Sequence, residues 1–116
     1  MNVVAGVLVG LVAALHLYFL VLEMFLWTTP TGRRVFGLDA DFAERSKALA
    51  ANQGLYNGFL VAGLVWGLVS GRTDVRVFFL VCVVVAGVYG AATVNKRILF
   101  VQAVPAAVAL VAVALS

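Results

Sequence analysis

The N-terminal segment reads VVAGVLVGLVAALHLYFLVLEMFLWT over residues 3–28, with one acid, Glu23, and neither lysine nor arginine. A helix needs about 20 apolar residues to cross the hydrocarbon core of a bilayer, so this segment is long enough to span a membrane. No basic region precedes it and no small-residue cleavage site comes before Glu23. We therefore expect a retained helix and not a cleaved signal peptide.

The composition extends this expectation to the whole chain. Of its 116 residues, 65% are hydrophobic and 11% are charged, with a net charge of +3. A water-soluble domain of this length has too little interior to hide so much apolar surface. We predict one all-α domain, an integral membrane four-helix bundle. The expected spans are about 3–28, 46–69, 75–95 and 98–115, with an interfacial loop at 30–41.

Local signals set the expected ends of these spans. Pro30 disfavours helix in the residue before it and should end the first span. Asp41 with Glu44 three residues later has the pattern of a capping box at the start of the second. Pro105 is expected to kink the fourth span. Glycine pairs four residues apart, which allow close helix approach, occur at Gly6/Gly10, Gly54/Gly58 and Gly63/Gly67.

Charge asymmetry predicts the orientation. Six of the eight basic residues lie in the first connection, the start of the second helix and the third connection: Arg33, Arg34, Arg45, Lys47, Lys96 and Arg97. Arg72 and Arg76 belong to the other side. We place the side with six basic residues in the cytoplasm and both termini outside.

Glu23 is the main candidate for function, because an acid inside a spanning helix is expensive to keep there. His16 and Trp27 share its helix face at spacings of seven and four residues. We predict a ligand- or proton-binding pocket open to the cytoplasmic side, formed by Glu23, His16, Trp27, Asn52, Gln53, Tyr56 and Asn57. Secondary candidates near the same side are Asn95, Arg97 and Gln102.

Each candidate also has a structural interpretation. Glu23 could be a proton carrier, a cation-binding group or an acid/base, or a structural partner of Lys96, Arg97 or Asn52. His16 could be a core imidazole, a proton relay, or a metal or haem ligand. One His and one Glu are too few for zinc, so a metal site would need a dimer to bring a second set. The amides could hold helices together. We expect no metal, no cofactor and no nucleic-acid partner.

Several strings follow a known pattern: EMFLWTTP at Glu23–Pro30, VFGL at Val35–Leu38, ANQGLYNGF at Ala51–Phe59, YGAATV at Tyr89–Val94 and RILFVQA at Arg97–Ala103. They resemble a family of small four-helix bacterial membrane proteins labelled domain of unknown function 1304. The resemblance implies a four-helix membrane protein in a bacterial inner membrane and carries no activity with it.

Three functional hypotheses remain open from the sequence. The first is a protein that binds or transports a small lipophilic or cationic compound, with possible proton coupling, working as a homodimer in the lipid bilayer. The second is an intramembrane enzyme, isomerase-like or directed at quinones or isoprenoids by acid/base catalysis. The third is a structural or accessory membrane subunit.

Overall fold

The computed structural model describes residues 2–116, and within that range the chain is helical with no strand. It contains five α-helices and one π-helical turn. They are α1 (Val3–Phe25), α2 (Pro30–Phe36), α3 (Ala40–Ser70), α4 (Thr73–Thr93), the π-helical turn Leu99–Ala103 and α5 (Val104–Leu115). The expectation of an all-α chain is confirmed.

Two of these helices, α1 and α4, are long and apolar enough to cross a membrane. The run Leu99–Leu115 is apolar but shorter. In α3 the apolar second half follows a first half rich in charged and amide side chains. By length and composition, two helices of the described chain are able to span a membrane, whereas four spans are expected from the sequence.

The end of the first span differs from the prediction. α1 stops at Phe25, three residues before Thr28. Thr29 has the extended backbone expected before Pro30, and its hydroxyl accepts a hydrogen bond from the Gly32 backbone N–H at 3.3 Å. Pro30 is the first residue of α2, where its missing N–H costs nothing. The segment predicted as an interfacial loop is thus a short capped helix, which ends at Gly37 with φ 67°.

The cap at the start of α3 is also not the predicted one. The Asp39 carboxylate accepts a hydrogen bond from the Phe42 backbone N–H at 2.7 Å, and the helix begins at Ala40. Asp41 lies inside the first turn and pairs with Arg45 at 2.9 Å. The sequence predicts the cap two residues too far along the chain, because Asp39 and Asp41 both precede the same apolar run.

The chain divides into two compact units. Leu15–Val61 forms the central unit, and Ala62–Ser116 with the described part of Met1–Ala14 forms the terminal unit. The central unit holds the end of α1, α2 and most of α3. The terminal unit holds the start of α1, the end of α3 and all of α4 and α5.

In the terminal unit, α4 meets the last helical segment at Gly87. An ideal Cβ placed on Gly87 would lie 2.9 Å from the backbone N of Ala103, so only glycine permits this approach. The backbone around Ala103 is π-helical, with the Val104 N–H bonded to the Leu99 carbonyl. Pro105 follows at once, and its ring would clash with the Val101 carbonyl in a regular α-helix. The irregularity expected at Pro105 is this wider turn.

The turn between α3 and α4 is fastened by Arg76, whose side chain is 1% exposed. Its Nη1 donates to the Gly67 carbonyl at 2.7 Å, and its Nη2 donates to the Thr73 hydroxyl at 2.9 Å. A cation at the carboxyl end of a helix satisfies carbonyls that have no intrahelical partner and opposes the helix dipole. The sequence analysis treated Arg76 only as a topology signal.

The Gly87 contact yields a stability prediction. Gly87→Ala should lower the free energy of unfolding by about 1–3 kcal/mol, because a new methyl group would overlap the Ala103 backbone. Thermal unfolding of the purified chain measures the change. Gly10→Ala is the matched control, since a Cβ there meets nothing within 4 Å. Equal stability of the two variants would contradict the close approach at Gly87.

Candidate functional site

Glu23 and Asn57 form a direct hydrogen bond between α1 and α3 in the central unit. The Asn57 side-chain amide Nδ2 donates to Oε1 of Glu23 at 2.5 Å. Asn57 is 6% exposed, while Glu23 is half-buried. The one acid of the first helix is therefore held by the amide of a second helix, 34 residues further along the chain.

Two glycines on α3 allow the helices to come this close. An ideal Cβ on Gly54 would lie 2.5 Å from Cγ of Met24 and 3.2 Å from Cβ of Glu23. A Cβ on Gly58 would lie 3.1 Å from Cδ1 of Leu20. The glycine pair Gly54/Gly58 thus provides the close approach expected of such spacing, and the approach brings Asn57 within reach of Glu23.

A surface groove of about 290 Å³ opens beside the Glu23 carboxylate. Its other lining residues are Met24, Phe25, Trp27, Thr28, Lys47, Ala48 and Ala51. The walls are apolar or aromatic apart from one acid, one hydroxyl and one amine. The Lys47 ammonium is exposed and bonds to Glu44 at 2.5 Å. The groove therefore offers a carboxylate within an apolar surface, with a cation among its lining residues.

The indole of Trp27 is fixed at this groove from two directions. Its Nε1 donates to the Ser46 hydroxyl at 3.0 Å, and that hydroxyl donates to the Phe42 carbonyl at 2.7 Å. Its ring centroid lies 4.9 Å from that of Phe36 on α2. An aromatic ring held by a hydrogen bond and a ring contact presents a defined face to a ligand.

The other predicted members are placed differently. His16 is fully buried and meets Phe19 edge-on, with ring centroids 5.4 Å apart. Asn52, Gln53 and Tyr56 are exposed. None of these four is among the residues that line the groove. A ligand-binding role for them stays a prediction.

The predicted and observed sites differ because another face of α3 packs against α1. The sequence predicts Asn52, Gln53, Tyr56 and Asn57 as members of one pocket. The residues of α3 that meet α1 include Gly54 and Asn57, both of them buried. Glycine, with no side chain, decides which face approaches α1 most closely, and the bulkier polar side chains are left at the surface.

The secondary candidates belong to the terminal unit. The Asn95 side-chain oxygen accepts a hydrogen bond from the Arg97 backbone N–H at 2.9 Å and so caps the turn before the last helix. Arg97 is exposed. The Gln102 amide donates to the Val83 carbonyl at 3.5 Å, which is a weak bond between α4 and the π-helical turn.

Sequence reasoning missed Lys47, which lines the groove, and Ser46, which accepts the hydrogen bond from Trp27. Ser46 looked like one polar residue in the exposed start of a helix, and Lys47 like a topology charge. Their positions depend on how α3 lies against the end of α1, which no local pattern encodes. The sequence did contain one signal, because Ser46 and Lys47 lie about one helical turn before the buried Ala50.

Comparison with known proteins places the chain in a family. The family model described as Protein of unknown function (DUF1304) matches residues 10–114. An uncharacterized protein of Lactococcus lactis subsp. lactis (strain IL1403), YpaA, is 32% identical over 115 residues, covering 96% of this chain and 97% of the relative. No solved structure matches the chain. The chain belongs to the DUF1304 family of proteins of unknown function.

Proposed function

We propose that this chain is a four-span inner-membrane protein whose groove at Glu23 binds a small lipophilic or cationic compound, as a step in proton-coupled transport. The observation that carries the proposal is the Glu23 carboxylate, bonded to Asn57 and bordered by an open groove with mostly apolar walls.

The exposed surface of the long helices supports a membrane location. Leu11 on α1 is 61% exposed and Val85 on α4 is 62% exposed. Only 28% of the most apolar window of each helix is buried within the chain. Helices that form the core of a water-soluble protein are mostly buried, whereas lipid removes exposed apolar side chains from water.

The other two proposed spans are consistent with the dimensions of a bilayer. α3 has 31 residues, about 46 Å at 1.5 Å per residue. It can cross a core of about 30 Å and still project its charged first turns. The run Leu99–Leu115 lies at the lower limit of about 17 residues for a spanning helix.

The side chain of Arg76 sharpens the proposed orientation. Arg76 is buried on the carbonyls of α3, so Arg72 is the exposed cation of the α3–α4 turn. The connections on the opposite side keep the six basic residues noted above. By the excess of basic residues in cytoplasmic loops, we place both termini outside.

The chemistry of the groove supports a small ligand with a positive charge or an apolar body. A volume of about 290 Å³ is at the lower end for small-molecule sites. The carboxylate attracts a cation, and the fixed indole of Trp27 attracts one by its ring quadrupole. Asn57 occupies one carboxylate oxygen, and the other, Oε2, can serve a ligand.

Proton coupling is part of the proposal because the Glu23 carboxylate would bind both a proton and a cationic ligand. A proton and a cationic ligand both neutralise Glu23, so each excludes the other. The groove is open to the surface of one unit and does not enclose a path across a bilayer. We therefore include a homodimer in the proposal, since a second copy could complete such a path.

Replacement of the acid tests the ligand. Glu23→Gln should weaken binding of phenyltrimethylammonium by about tenfold or more, because a charge-assisted contact is lost. Binding to wild type should fall on acidification, and binding to the variant should not. Gln keeps an oxygen that can accept the Asn57 bond. Isothermal titration of the detergent-purified chain makes the measurement.

The controls separate the effect of the charges on Glu23 and the ligand from the effect of the ligand's shape. The neutral isostere tert-butylbenzene should bind both forms equally, because it uses only the apolar walls. Asp41→Asn removes an exposed carboxylate of the same unit that does not line the groove, and should bind like wild type. If wild type and Glu23→Gln bind the cation equally at every pH, the proposed role of Glu23 is wrong.

A double-mutant cycle tests whether the Glu23–Asn57 bond is mainly structural. Asn57→Leu should lower the free energy of unfolding by about 1–3 kcal/mol, since a partly buried carboxylate loses its donor. Glu23→Leu combined with Asn57→Leu should recover most of that loss, because both polar groups are gone. Thermal unfolding reports both values. Failure of the double variant to recover would show that the bond stabilises the fold beyond offsetting burial of the acid.

Single cysteines test the orientation. In a Cys82→Ala background, Arg34→Cys and Lys96→Cys should be protected from a membrane-impermeant maleimide added outside cells. Arg72→Cys should be labelled. Labelling after permeabilisation controls for accessibility. Labelling of all three from outside would contradict the four-span topology, and the reverse pattern would invert the orientation.

A further inference from the structure

A second surface groove of about 420 Å³ lies in the terminal unit at the α3–α4 turn. It is lined by Trp66, Asp74, Val75, Phe78 and Phe79. None of these residues belongs to the Glu23 groove. Four of the five are apolar or aromatic, and the fifth is a carboxylate.

Close packing at Gly63 fixes the aromatic wall of this groove. The ring of Phe79 lies directly against the backbone of Gly63, where any side chain would overlap it. Phe78 meets Phe79 edge-on at 5.2 Å between ring centroids. Trp66 and Phe78 are more than half exposed. One side of this aromatic wall therefore packs against Gly63 of α3, and the other side is exposed.

The edge of the groove carries a pair of opposite charges. The Arg72 Nη2 lies 2.7 Å from Oδ2 of Asp74, and its Nε lies 3.2 Å from Oδ1. The guanidinium carbon is 5.8 Å from the centre of the Trp66 ring. Both charged side chains are exposed. A cation and an anion therefore stand side by side next to an aromatic surface.

This arrangement matches the two parts of a phospholipid. In a membrane protein, the turn between two spanning helices lies near the headgroups, where Trp is enriched. An acyl chain can lie on the exposed faces of Trp66 and Phe78 and shield them from water. The phosphate of a headgroup can accept from Arg72, and a primary ammonium can donate to Asp74.

We propose that this groove holds one phospholipid whose zwitterionic headgroup ends in a primary ammonium. The inference rests on the membrane location proposed above and is independent of ligand binding at Glu23. A purely anionic headgroup meets repulsion from Asp74. A trimethylammonium headgroup has no N–H to donate to the carboxylate, so it gains less there.

The test compares lipids that differ only in the headgroup. The detergent-purified full chain is titrated with phosphatidylethanolamine, phosphatidylcholine and phosphatidylglycerol of identical acyl chains, and Tm and binding are measured. Phosphatidylethanolamine should bind about fivefold more tightly than either of the others and raise Tm most. Asp74→Ala should remove that preference, and Trp66→Ala should weaken all three lipids.

Asp41→Ala provides the matched control. It breaks the exposed Asp41–Arg45 ion pair of the central unit, and neither of these residues lines a described groove. The preference for phosphatidylethanolamine should survive this change, and also Glu23→Gln. If Asp74→Ala unfolds the chain, Asp74→Asn replaces it, because the amide keeps the shape and removes the charge.

Two results would overturn the assignment: tightest binding of phosphatidylglycerol or phosphatidylcholine, or a preference for phosphatidylethanolamine that persists without the Asp74 charge. An error in the proposed membrane location would be recognised separately, since the chain would then purify without detergent. Failure of the Glu23 proposal appears only in the titration with phenyltrimethylammonium and leaves the lipid preference unchanged.

Discussion

The close approach of α1 and α3 at Gly54 and Gly58 is the contact on which the candidate site depends. With any side chain at Gly54, Met24 and the stem of Glu23 would have to move outward. Asn57 would then lose its reach to the carboxylate. Helices in lipid gain no hydrophobic energy by leaving an apolar solvent, so close packing and polar contacts decide which faces meet.

Polar groups in the apolar helices follow a second constraint. A hydrogen-bonding group without a partner is expensive when no water is present. Glu23 accepts from Asn57, and two nitrogens of the Arg76 guanidinium donate to the Gly67 carbonyl and the Thr73 hydroxyl. At helix ends, Thr29, Asp39 and Asn95 each accept from a backbone N–H two or three residues later. The two grooves open where such groups meet aromatic walls.

Local rules succeeded or failed for identifiable reasons. Pro30 does not set the end of the first helix, since α1 stops at Phe25. It starts α2 instead, because a fixed φ and a missing N–H suit a first helical position. Asp39 and Asp41 are both possible caps for the same helix, and the single residue between them, Ala40, gives no means to choose. Asn52 and Tyr56 are predicted at the site, whereas the close approach at Gly54 selects a face of α3 on which Asn57 is buried and those two side chains are exposed.

The sequence by itself determined that the chain is helical and which segments are apolar. It also indicated Glu23, Trp27 and Asn57 as candidate functional residues. These are properties of composition and periodicity, which act over one or two helical turns. Only the tertiary structure decided that Asn57 holds Glu23, that Ser46 fixes Trp27, and that Arg76 closes the α3–α4 turn. Such pairs join residues 9 to 34 positions apart. Their formation depends on which helix faces can approach, and that is a property of packing in three dimensions.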